Sequence, residues 1–179
     1  MTKKMAVNVR FGEIRDLGSC VDSDCEHVSE SMTERKIEEK AVILAEVDGK
    51  PIGYLRVEYL WLIVPYVGLI TVEERYRRKG VGSAMIKFLE DYLIKNGHEV
   101  LYSSSQVDEP EPQMWHRKIC FEECGIIAGI NDGVGEVFFR KTLGKRRRTQ
   151  LSGRRTTDWE TRFLNMQLRE FVSSAYHVQ

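Results

Sequence analysis

Residues Val72 to Met85 (VEERYRRKGVGSAM) hold the pattern best suited to chemistry. An apolar run ends at Val72, a short basic loop follows, and a Gly-x-Gly leads directly into a helical pattern. The first amides of a helix have no internal partner, and the helix dipole places partial positive charge on them. Gly80 and Gly82 leave room for an anion to approach the backbone, and Arg77, Arg78 and Lys79 surround it with charge. The segment reads as a phosphate cradle, with a plain capped helix after a charged loop as the alternative. It is not a Walker loop, because GxxxxGK[ST] is absent, and Met85 stands where a dinucleotide fingerprint needs its third glycine.

Several elements must hold that loop. Ala6 to Ile14, Ala41 to Val47, Ile52 to Trp61 and Tyr66 to Val72 read as strands, with a turn at Asp48-Gly49 and a break near Pro65. Asp16 to Glu39 is polar and acidic and holds one or two short helices. Val81, Ala84, Met85, Phe88, Leu89, Tyr92 and Leu93 form one apolar helical face that Asn96-Gly97 ends. Glu99 to Ser104 is a strand, Pro110 opens a helix through about Phe121, and Gly125 to Ile130 and Glu136 to Arg140 are two further strands. The strands before the loop form an antiparallel meander, and the fold class reads as α/β (α+β) with a mixed sheet.

Arg77-x-x-Gly80-x-Gly82 resembles the (Arg/Gln)-x-x-Gly-x-(Gly/Ala) signature of the GNAT family of N-acetyltransferases, at its usual place between the fourth strand and third helix. Glu74 and Arg78 replace a proline and a glycine of the longer family run. Trp115-His-Arg-Lys-Ile-Cys-Phe121 resembles the family's Leu-Tyr-x-Lys-Leu-Gly-Phe. The element order agrees over residues 5–142. The resemblance implies a GNAT-like, mostly antiparallel central sheet of six to seven strands flanked by about four helices. It implies acetyl-CoA as cosubstrate, and the cysteine and histidine spacings give no reason to expect a metal. Arg77, Arg78, Lys79, Gly80, Val81, Gly82 and Ser83 then take the pyrophosphate, and the edge from Ile70 to Val72 pairs with the pantetheine arm.

The implied reaction is direct attack of an amine on the thioester in a ternary complex. An alkyl ammonium with a pKa of about 10 must first lose a proton, and a departing thiolate, whose thiol has a pKa of about 8.5, is best protonated. The resemblance puts His116 where the family usually has the tyrosine that serves as acid, with a capping or packing role and an unassisted thiolate as the alternative, and Tyr102 is a second candidate. Glu58 and Glu73 are candidates for the base, each also readable as an ordinary strand or loop charge. Asp22, Asp24, Glu26 and Glu30 form either an acidic lip that favours a cationic amine or a solvated acidic loop, and Tyr59, Trp61 and Tyr66 either line the acceptor pocket or pack the core.

Composition sets the limits. The chain of 179 residues has 27 basic and 27 acidic side chains. The balance conceals an asymmetry, because residues 144–179 carry eight basic and three acidic groups. Together with the resemblance over residues 5–142, this makes residues 1–143 read as the acetyltransferase-like domain. Residues 144–179 read as a basic linker and an amphipathic C-terminal helix from Thr156 to Ala175, suited to docking on the domain or on a second copy in a homodimer. A nucleic-acid contact by the basic run, or a regulatory acyl-CoA-binding module without turnover, are the rival readings. The most apolar stretch, Tyr59 to Ile70, is interrupted by Pro65 and Gly68 and falls short of the roughly 20 residues a spanning helix needs. With no signal-peptide core and four cysteines whose spacing matches no standard zinc pattern, the expectation is a cytoplasmic protein without a membrane role.

Overall fold

The computed structural model describes residues 6–24 and 27–144. Seven strands form one sheet in the order β1-β2-β3-β4-β5-β7-β6. They are β1 (Asn8–Phe11), β2 (Val42–Val47), β3 (Lys50–Leu60), β4 (Val64–Val72), β5 (Val100–Gln106), β6 (Glu122–Asn131) and β7 (Val134–Thr142). Every neighbouring pair is antiparallel except β4 and β5, which run parallel. The helices are α1 (Leu17–Asp24), α2 (Glu30–Glu38), α3 (Val81–Lys95) and α4 (Pro110–Lys118). The sequence reading thus holds for class, element order and sheet. The expected C-terminal helix lies outside the described residues. No helix among the described residues is long and apolar enough to cross a membrane.

The apolar run of β2 is continuous because both its faces are covered. Ile43 and Ala45 join the main core with Leu55, Val81, Met85, Leu89 and Phe139. Val42 and Leu44 point the other way, into a smaller cluster with Cys20 of α1, Ile37 of α2 and Tyr54. So α3 covers one face of the sheet and α1 with α2 cover part of the other. Arg10 fixes the sheet's first edge: its guanidinium grips both oxygens of Asp16 at 2.6 and 2.9 Å and also bonds Glu46.

One boundary differs from the expectation. The break between β3 and β4 falls at Trp61 and Leu62, which take φ of 50° and 66° without a glycine or asparagine. Pro65 instead lies within β4 opposite Tyr59, ahead of the first β4–β5 pair, so its missing N–H is not needed there.

Candidate functional site

The parallel junction between β4 and β5 is short. It consists of Tyr66 opposite Tyr102 and Val67 opposite Ser103, although β4 runs on to Val72 and β5 to Gln106. From Gly68 onward the two strands are unpaired, which leaves a split in the sheet. A bulge marks its start: Arg56 faces Leu69 and Val57 faces Val67, so Gly68 is an extra residue in β4. A Cβ on Gly68 would lie 2.8 Å from Cγ of Glu58, so only glycine fits.

Inside the split β4 offers free backbone. The amide of Glu73 donates to the Ile52 carbonyl of β3. Backbone groups alternate along a strand, so the amides of Val72 and Ile70 point away from β3, into the split. This is the edge the family resemblance implies for the pantetheine arm. The Val72 carbonyl accepts from Nε of Arg77 at 3.0 Å, which folds the loop back onto the strand.

The split leads into the start of α3. Gly80 is its N-cap, with a φ of 85° that a side chain would strain, and no side chain caps the helix. No acid lies in the first turn. The amides of Val81, Gly82 and Ser83 are therefore available to an anion. Arg77, Arg78 and Lys79 are exposed, and among the described residues none of them is paired with a carboxylate. Trp115 of α4 covers the inner side, and a Cβ on Gly82 would lie 3.3 Å from its Cζ2. A diphosphate fits the chemistry of this donor set.

The expected catalytic side chains are less simply placed. His116 is only 3% exposed and stacks on Phe139 at 4.5 Å. Its Nδ1 lies 2.7 Å from the Pro112 carbonyl, which only accepts, so Nδ1 carries the proton. Its Nε2, 2.8 Å from Oγ of Ser103, then accepts from that hydroxyl. Burial holds its pKa below the ordinary histidine value. In this arrangement the ring is neutral, both nitrogens are engaged, and it positions Ser103 of β5.

Glu58 belongs to a network that ties α1 and α2 to β3. Its two oxygens accept from Arg56 and from Lys36. Arg56 also donates at 2.6 Å to Asp24, whose carboxylate is fully buried and takes the Tyr54 hydroxyl at 2.8 Å. Asp24 therefore belongs to the interior rather than to an acidic lip. Glu73 sits at the end of β4, paired with Arg75 at 2.8 Å. It borders a recess of about 240 Å³ lined by Ser19, Asp22, Ser23, Tyr54 and Thr71, among others. Glu30 lies in the first turn of α2, and Glu26 is outside the described residues. Trp61 is 81% exposed at the β3–β4 turn, and Tyr59 lies against His98, at the end of the sheet away from the split's mouth.

Three side chains at the split lie outside the sequence-based catalytic assignments. Tyr66 donates to or accepts from Oγ of Ser104 at 2.6 Å and stacks on Phe138 of β7 at 5.9 Å. Burial, together with the charge of Glu136, raises its pKa above the ordinary phenol value. Glu136 stands two residues before Phe138 on the same face of β7. Only the registers bring these residues together. Among the described residues, no group of three His, Cys, Asp or Glu side chains is arranged to hold a metal ion.

Comparison with known proteins agrees with this architecture. Ard1 from Thermoplasma volcanium superposes with a TM-score of 0.70 at 17% identity, covering 78% of this chain and 99% of its own. A ribosomal-protein-alanine N-acetyltransferase from Brucella melitensis gives 0.66 at 18% identity, covering 76% and 99%. The structure of yncA from Salmonella typhimurium, which holds its cofactor acetyl-CoA, gives 0.68 at 14% identity, covering 82% and 99%. In sequence, an uncharacterized N-acetyltransferase from Methanocaldococcus jannaschii is 25% identical over 100 residues, which span 52% of this chain and 44% of that relative. The model of the acetyltransferase (GNAT) family matches residues 13–118. With more than half its length in that match, and with the split sheet and bare helix start in place, the chain belongs to the GNAT acetyltransferase family.

Proposed function

We propose that the protein transfers an acetyl group from acetyl-CoA to an amine by direct attack in a ternary complex. One observation carries this reading: the unpaired edge of β4 is joined by the short basic loop of residues 73–80 to an uncapped helix start. When bound, acetyl-CoA supplies an activated thioester carbonyl. The protein's part is binding and orientation. The amides of Val81, Gly82 and Ser83 take the diphosphate, and Arg77, Arg78 and Lys79 add charge around it. The edge amides of Ile70 and Val72 align the extended arm as an added strand and polarise an acyl oxygen by hydrogen bonding.

A second reading has one observation in its favour. The sequence resemblance puts His116 where the family usually has a tyrosine, and here it is a buried ring with both nitrogens engaged. An acyl-CoA-binding module without turnover would look like this. Calorimetric titration with acetyl-CoA and CoA, followed by thiol release in the presence of amines, separates the two. Single-site micromolar binding with amine-dependent thiol release supports the enzyme. Equal binding with no release from any amine supports the module, and absence of binding refutes both.

A further inference from the structure

Tyr54, Arg56 and Glu58 alternate on one face of β3, the face covered by α1 and α2. Tyr66 stands opposite Glu58 and shares that face. The Tyr66–Ser104 bond and the Tyr66–Phe138 stack carry the same face across β5 and β7. Ser103 points the other way, to His116 of α4. The split can thus be reached from two sides. The α3 start and Trp115 of α4 lie on one, and Tyr66, Ser104 and Glu136 lie on the other.

Glu136 is level with the open part of the split. It pairs with Gln106, four residues beyond Tyr102, and Tyr102 belongs to the first β4–β5 pair. Its Oε1 accepts from the Asn131 amide of the β6–β7 hairpin, while its Oε2 is buried with no hydrogen-bond partner among the described residues. No lysine, arginine or histidine among the described residues forms an ion pair with it. A buried carboxylate oxygen without a donor is costly, so a carboxylate held this way is prepared for a cation from outside.

We propose that Glu136 is the acceptor-side catalytic residue, taking a primary amine that arrives as its ammonium. This deepens the acetyl-transfer reading and rests on it. The ammonium gives one proton to Oε2 of Glu136. The freed nitrogen lone pair forms the C–N bond with the acyl carbon, and the C–S bond breaks with its electron pair on sulfur. A second proton from the attacking nitrogen neutralises that thiolate, and Glu136 returns its proton to solvent. The Tyr66–Ser104 pair positions the nitrogen beside the carboxylate.

The test uses the full chain with n-butylamine and spermidine as acceptors, thiol release as the rate, and calorimetry for acetyl-CoA. Glu136→Gln keeps the acceptor for Asn131 and removes the negative charge. It should raise KM for the amine and lower kcat, each at least tenfold, with acetyl-CoA affinity within twofold of the parent. Glu136→Asp should recover at least tenfold in kcat/KM over the glutamine variant. Melting curves of all three proteins should agree within a few degrees. A glutamine variant whose kcat/KM stays within threefold of the parent overturns the proposal. So does a parent that binds acetyl-CoA but acetylates neither amine, which leaves the cosubstrate reading standing. A parent that does not bind acetyl-CoA overturns the acetyl-transfer reading and this inference with it.

Discussion

Replacing His116 by phenylalanine tests whether the ring donates a proton or holds the core. The ring is almost fully buried, parallel to Phe139 within 7° and edge-on to Phe121 at 5.5 Å. A phenyl group keeps those contacts. It loses two hydrogen bonds, one from the Ser103 hydroxyl and one to the Pro112 carbonyl. A buried polar group left without its partner costs about 1–3 kcal/mol, while an aromatic pair is worth about 0.5–1.5 kcal/mol beyond its buried area. The better-packed ring offsets part of the loss, and the net destabilisation should be about 1–3 kcal/mol. For a domain of this size that is a fall in Tm of roughly 3–10 °C. Removal of a general acid, by contrast, costs about 10²–10⁴ in rate. Because the imidazole proton is committed to Pro112, kcat for amine acetylation at 25 °C should fall less than tenfold. Thermal melting and steady-state kinetics on one preparation check both numbers. A kcat loss beyond a hundredfold with unchanged Tm would refute the positioning role and return His116 to the chemistry.

Other perturbations separate cradle, scaffold and pH effects. Gly82→Val should weaken acetyl-CoA binding at least a hundredfold by calorimetry, and should also lower Tm by a few degrees, because its Cβ crowds Trp115 at 3.3 Å. Arg10→Met strands the largely buried carboxylates of Asp16 and Glu46, so urea denaturation should show a loss of about 3–5 kcal/mol. Burial holds the pKa values of His98 and His116 below the ordinary histidine value. The unfolded chain therefore binds the extra protons, and this part of the stability should be constant above about pH 7.5 and fall as pH drops through about 6.5. Asp16 and Glu46 are held below the usual carboxylate range by Arg10, so their contribution persists until the pH falls through their lowered values. A Tm that rises between pH 7 and 5 would contradict the assignment for the histidines.

The cradle was legible because it is contiguous. Strand end, basic loop, glycines and helix start follow one another within Val72 to Ser83, and each step is local backbone physics. The succession of elements was legible for a related reason: alternating or continuous apolar runs mark strands and the faces they cover. The β3–β4 turn was not, since Trp61 and Leu62 carry no turn signal and are held at positive φ by the hairpin they close. Glu136, Tyr66 and Ser104 were not legible as a group, because they come from three strands. Their meeting depends on a two-pair parallel junction and on the bulge at Gly68.

Glu58 and Glu136 show why residue type alone does not find a base. Both are strand glutamates on the same face of one sheet, and the sequence reading names Glu58 as a candidate base but not Glu136. Glu58 has each oxygen occupied by a cation, and Arg56, which holds one of them, is also bound to the buried Asp24. Using Glu58 as a base means releasing Arg56 or Lys36 and exposing the paired charges that hold α1 and α2 to β3. Glu136 has one oxygen bound to a neutral amide and the other without a partner among the described residues. A proton can reach it without breaking an ion pair. The difference lies in the partners, which are the cations of Arg56 on β3 and Lys36 on α2 for one residue and an uncharged hairpin amide for the other. The acceptor's proton should follow that difference, and it leads to β7.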